Sequence, residues 1–143
     1  MATFVKYNCF AGDMAGKVHD LLGTAGAGAD TCKVILSNTA PNVSTHTVRA
    51  DVTELSTANG YTSGGASIAN VGTNSAGTFT MTGTDVVWTA SGGSVGPFQY
   101  VILYNDTSTS DSLIGYWARD AALTLADGDT FTTDFGASIL THV

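Results

Sequence analysis

The sequence has little charge. Asp, Glu, Lys and Arg together make up 12 % of its 143 residues, about half the ~25 % of an ordinary soluble domain. Cations are the scarcer sign: five Lys and Arg stand against twelve Asp and Glu, a formal net charge of −7. Such a chain is repelled by phosphate, which argues against nucleic-acid binding and against an anionic membrane surface. Cysteine is almost absent, with only Cys9 and Cys32. Their spacing fits neither a zinc nor a redox motif. They read as two small buried residues, and a disulfide between them stays open. No apolar run approaches the ~18 residues of a membrane span. The start, Met1 to Asn8, has one cation and no apolar core, so no secretory signal is expected.

What is present is ordinary hydrophobicity, 43 %, together with many small polar residues and 17 glycines. Disordered chains combine low hydrophobicity with high charge density, and this one does not. Thr- and Gly-rich composition with few charges reads as strands joined by turns. The length fits one domain spanning residues 1–143. A chain of that size buries roughly 65–70 % of its unfolded surface without needing disulfide or metal.

Residues 11–22 form the one helix the pattern predicts. Met14, Ala15, Val18, Leu21 and Leu22 make a single stripe, Asp13 suits a first turn, and Gly23 is placed as the stop. Beyond a glycine-rich connector the period changes. Strands are expected at 31–36, 66–71, 77–82, 85–89, 97–104, 112–118, 130–135 and 138–143, with a weaker stretch at 47–53 and a short strand or bend at Leu123 and Leu125. In the strongest, Phe98, Tyr100, Ile102 and Tyr104 point one way and Val101 and Leu103 the other. Both faces are apolar, so this strand is central and covered on both sides. The expected fold is therefore mainly β, an antiparallel sandwich or barrel with one N-terminal helix.

Each pattern that carries chemistry elsewhere lacks its context here. Gly92-Gly93-Ser94-Val95-Gly96 has the spacing of a nucleophile elbow, but Pro97 and a strand follow where a helix is required. His19, His46 and His142 are not spaced with a carboxylate and a nucleophile as a triad needs. Asp127-Gly128-Asp129 starts like a calcium loop, then runs into a strand, which makes it a hairpin turn. The glycines between Gly23 and Gly28 precede no Lys-Ser/Thr. Aromatic groups such as Phe98, Tyr100 and Tyr104 read as core. No catalytic residue, metal ligand or cofactor is expected, and the chain reads as a non-enzyme.

Several segments together carry a family likeness: Lys6-Tyr7-Asn8-Cys9-Phe10 with the helix after it, Leu36-Ser37-Asn38-Thr39-Ala40-Pro41, and Asp51-Val52-Thr53-Glu54-Leu55 followed by residues 58–65. Trp88-Thr89-Ala90-Ser91-Gly92-Gly93, residues 96–107, Leu113-Ile114-Gly115-Tyr116-Trp117 and residues 125–131 complete the set. In this order, and over most of the chain, the sequence resembles small virion proteins of tailed bacteriophages and prophages. The resemblance implies a head decoration, or cement, protein on the outer surface of the capsid. It would clamp neighbouring major capsid protein subunits and is commonly a trimer. Because members of the family are also described as tail-fibre proteins, the alternative is a tail or fibre component that binds a host receptor or glycan. That alternative expects an exposed aromatic residue, Tyr61 or Trp117, beside polar loops.

The acidic composition suits a capsid exterior, and many modest interfaces repeated over a lattice sum to a strong hold. The candidate protein-interface residues are Phe4, Val5, Tyr7 and Phe10. Residues 1–10 read equally as a free N-terminal arm or as an edge strand of the domain's own sheet.

Overall fold

A computed structural model describes residues 2–143 and shows a mainly β protein. Its elements are β1 (Val5–Lys6), α1 (Cys9–Ala15), β2 (Gly23–Thr24), β3 (Cys32–Ser37), β4 (Ala66–Ser67), β5 (Val71–Ser75) and β6 (Thr78–Thr82). They continue with β7 (Val86–Thr89), β8 (Val95–Asn105), β9 (Leu113–Leu125), β10 (Thr130–Thr133) and β11 (Leu140–His142). The strands form a five-stranded sheet in the order β1-β9-β8-β3-β4, a four-stranded sheet β11-β6-β5-β2, and a two-stranded pair β10-β7. The pairings of these strands are antiparallel.

The long β8–β9 hairpin is the spine. One face of its sheet carries Val34, Leu36, Val101, Leu103, Ile114 and Trp117 into the main core, where they meet Met81, Trp88, Phe135 and Ile139 from the smaller sheets and the C-terminal segment. The opposite face carries Ile35, Ile102, Tyr104 and Leu113 into a second, smaller core, covered by Val43 and Val52 of the long loop 38–65. Burial on both faces makes β8 central, as the sequence pattern indicates.

Phe98 does not share a face with Tyr100. It belongs to the main core, with its ring 5.0 Å from that of Phe131, whereas Tyr100 lies against the second core. The cause is a β-bulge. Tyr100 pairs with Ala118 and Phe98 with Leu123, so one residue of β8, Gln99, faces residues 119–122 of β9. The alternation along β8 breaks at this same irregularity, which period-two reasoning does not foresee.

The helix is shorter and earlier than the stripe over 11–22 predicts. It ends at Gly16, where Lys17 takes φ +61°, and two bonds close the end: Lys17 N–H to the Met14 carbonyl (3.3 Å) and Val18 N–H to the Asp13 carbonyl (2.8 Å). That is a Schellman motif. Gly12 and Gly16 both weaken a longer helix, and beyond Gly16 the chain runs irregularly. Leu21 enters the core while Leu22 stays 53 % exposed. Asp13 sits inside the helix instead of at its first turn.

The weak stretch at 47–53 forms no strand; it makes a bridge from Val48 to Ser112 and a 3-10 turn at Arg49–Asp51. Strand β5, by contrast, is absent from the sequence reading. It is mostly small polar residues, and its buried position is Gly72, whose bare backbone sits against the Leu21 carbonyl. Ala76 and Gly77, both with positive φ, turn β5 into β6.

Candidate interaction surface

The four N-terminal candidates divide by burial. The first residues are an edge strand: Val5 pairs with Tyr116 and Lys6 with Gly115, and Tyr7 N–H donates to the Ile114 carbonyl at 3.1 Å. Tyr7 and Phe10 are buried inside the domain, where they hold the strand in place. Burial pushes the Tyr7 hydroxyl well above its ordinary range, and that hydroxyl has no hydrogen-bond partner among the described residues. Phe4 is half-buried with its ring 4.9 Å from Trp117, a cross-strand aromatic contact. Gly115 makes room for it, because a Cβ there would overlap the Phe4 ring. Val5, 37 % exposed, faces outward.

Beyond Trp117 the outer side of β9 has no strand beside it, since β1 pairs only with Gly115 and Tyr116 among the described residues. Here the bulge lifts residues 119–122, and a groove of about 520 Å³ opens next to it. Its walls are Ala2, Trp117, Ala118, Ala121, Ala122, Leu123 and Phe131, with Val101 at the base and Arg119 and Asp120 beside them. Gln99 Nε2 holds the bulge by donating to the Arg119 carbonyl at 3.0 Å. The Arg119 guanidinium lies 5.7 Å from the centre of the Phe131 ring, and its Nη1 donates to the Ala121 carbonyl at 2.8 Å.

The chain's single glutamate sits in a different kind of place. Glu54 accepts from Arg49 Nε (3.1 Å) and Nη2 (2.7 Å), Tyr61 Oη (2.7 Å), Ser63 Oγ (3.2 Å) and Gly64 N (2.6 Å). Tyr61 in turn accepts from the Leu36 amide of β3 at 3.1 Å. Arg49 also reaches Asp111 at 3.6 Å and lies 5.4 Å from the centre of the Tyr104 ring. This cluster pins loop 38–65 to the sheet. Sequence reasoning missed it; the one available signal was a lone Glu among eleven Asp.

The motif residues are engaged in holding turns. Ser94 lies in the turn before β8, where Asn59 Nδ2 donates to its carbonyl at 2.9 Å. Asp127 caps the same turn through Gly92 N (2.9 Å), and Asp129 closes its own turn on Ala126 N (3.1 Å). His46 Nδ1 accepts from Asn42 N at 3.2 Å, and His142 is exposed on β11. Cys9 and Cys32 are free thiols, and burial pushes that of Cys32 up to about 12. Among the described residues, no group of three or more His, Cys, Asp or Glu stands together to hold a metal ion, and no helix is long and apolar enough to cross a membrane. Tyr61 is buried and offers no open ring face to a sugar, and Trp117, 5 % exposed, shows only the edge that lines the groove.

His19 is the one buried histidine among the described residues. Asn105 Nδ2 donates to its Nδ1 at 3.0 Å. The direction is fixed because Asn105 Oδ1 already accepts from Thr107 N and Ser108 N. The ring proton therefore sits on Nε2, 3.8 Å from Asp13 Oδ2 and without a hydrogen bond. Burial holds the pKa of His19 below its ordinary value, against the opposing pull of Asp13 and Asp30.

The fold and site together define a mainly β domain with an open groove beside a sheet edge. No family model matches the chain, and no curated protein or solved structure matches it either.

Proposed function

We propose that this chain is a structural, non-enzymatic virion protein of a tailed bacteriophage: a head decoration protein on the outer surface of the capsid. It stabilises contacts between major capsid protein subunits and acts as a homo-oligomer, in the commonest arrangement a trimer. The observation that carries the reading is how the polar groups are used. Glu54, Asp51, Asp127 and Asp129 accept backbone or side-chain donors that fix loops, while the groove beside β9 is mostly apolar and open. That division suits a rigid body that meets another protein surface. The net charge of −7 suits an exterior face better than a DNA-lined one. The sequence resemblance, which runs over most of the chain, supplies the identity of the partner.

The test is purification of the virion that carries this protein, with copy number by quantitative mass spectrometry and position by image reconstruction. The expected result is regular occupancy of the outer capsid lattice in hundreds of copies. A handful of copies confined to the tail overturns it.

A further inference from the structure

We propose that the groove beside the β9 bulge binds an extended segment of a partner protein through a carboxylate held on Arg119. Of the chain's five cations, Lys33 is paired with Asp106 at 2.9 Å, Arg49 is occupied by Glu54, Lys6 lies 5.7 Å from the Phe10 ring centre, and Lys17 is exposed at the end of the helix, away from the groove. Arg119 makes no ion pair among the described residues, and one of its donors, Nη1, is engaged, on the Ala121 carbonyl. A guanidinium has five N–H donors in a planar fork. Ala121 on one side and the Phe131 ring on the other hold this fork in a fixed orientation with donors to spare. Little entropy remains to be lost when it meets a carboxylate, which it matches in a bidentate manner.

The surroundings say what else the ligand carries. Trp117, Leu123 and Phe131 are large and apolar, whereas Ala118, Ala121 and Ala122 are small and leave room above the groove. An apolar side chain flanking the carboxylate fills that space. Asp120 borders the same groove, so a second acid placed toward it is repelled. The recognised pattern is one carboxylate beside apolar residues, not a run of acids. An extended segment fits because the outer side of β9 beyond Trp117 is open along the groove. The recognition holds whether the segment comes from a capsid subunit or from another protein, so its failure is separable from failure of the capsid reading.

The test is selection of binders to the full chain from a random library of short peptides, followed by affinity measurement on individual winners. The expected winners share one acidic position flanked by apolar residues. R119Q weakens them at least ~10-fold, and R119K, which keeps the charge but loses the fork, falls in between. D120N tightens binding of peptides with two acids, and added salt weakens all of them. Thermal unfolding of each variant confirms that the fold is intact. Three results overturn the proposal: no binder, winners with no shared acid, or affinities unmoved by R119Q. So does a peptide-free dimer in sedimentation that R119Q disrupts, because the groove is then filled by a second copy.

Discussion

The two arginines of this chain sit in opposite situations. Arg49 is enclosed by its own protein: Glu54 takes two of its donors, Asp111 stands 3.6 Å away and Tyr104 lies beneath it. Arg119 is oriented by a carbonyl and a ring, and it meets no carboxylate among the described residues. Nothing in the sequence around them tells the two apart. Only the placement of Glu54 separates a loop fastener from a group free to meet a partner. Where the polar network closes on itself, substitution costs stability; where it stays open, substitution costs recognition.

Substitutions on the closed side should have the largest effect. Glu54→Ala leaves the buried Tyr61 hydroxyl without its acceptor and Arg49 without its main partner. The expected loss is about 3 kcal/mol, toward the lower end of buried-pair deletions because Arg49 keeps some solvent exposure. Urea unfolding measures it, and a loss below about 1 kcal/mol would erase the contrast drawn between the two arginines.

Gly115→Ala should come next. The added methyl displaces Phe4 from Trp117 and pushes on the Val5 carbonyl. About 2 kcal/mol is expected, the usual scale for overpacking, together with faster hydrogen exchange at Lys6 and Tyr7. Unchanged exchange there would mean that β1 is held without the aromatic contact.

A third effect depends on pH. The folded state holds the pKa of His19 below its unfolded value, so the unfolded chain takes up the proton first. Stability is therefore complete above the unfolded value of about 6.5 and falls as pH drops through that value toward the folded one. The carboxyl of Asp51, held down by the Thr47 and Val48 amides, adds its own loss only below the ordinary aspartate range. Denaturant midpoints between pH 7 and pH 5 should decline in the native chain and flatten in His19→Gln. A decline of equal slope in both would place the titrating group elsewhere.

Arg119→Gln should be the mildest. It removes one hydrogen bond to a carbonyl and one stacking interaction with a ring, both at a partly exposed site. The change in stability therefore stays within about 1 kcal/mol, measured by the same urea unfolding. A larger loss would show Arg119 to be a fastener like Arg49.

The β character and the central position of β8 were legible in the sequence, because period and turn residues report burial directly. For the first ten residues an edge strand was one of two equal readings, since a two-residue strand is too short to show a period. What escaped did so for identifiable reasons. The helix boundary turned on Lys17 entering the left-handed region, which composition does not announce. Phe98 changed sides because the alternation of β8 breaks at the irregularity around Gln99, which no local pattern records. Strand β5 buries backbone at Gly72 and so shows no apolar signal. The Glu54 cluster joins residues 49, 54, 61, 63 and 64 through geometry alone, and Arg119 differs from Arg49 only by what lies around it.

The pairing of Val5 with Tyr116 also sets an order in time. As the chain leaves the ribosome, its first strand has no edge to join until β9 emerges, almost the whole sequence later. Closing so long a loop is slow, and the interactions that reward it come late. The N-terminal residues therefore wait beside a nascent chain that is otherwise able to assemble β3 on β8. This late seam is a two-residue strand at an edge, and seams of that kind open at low cost.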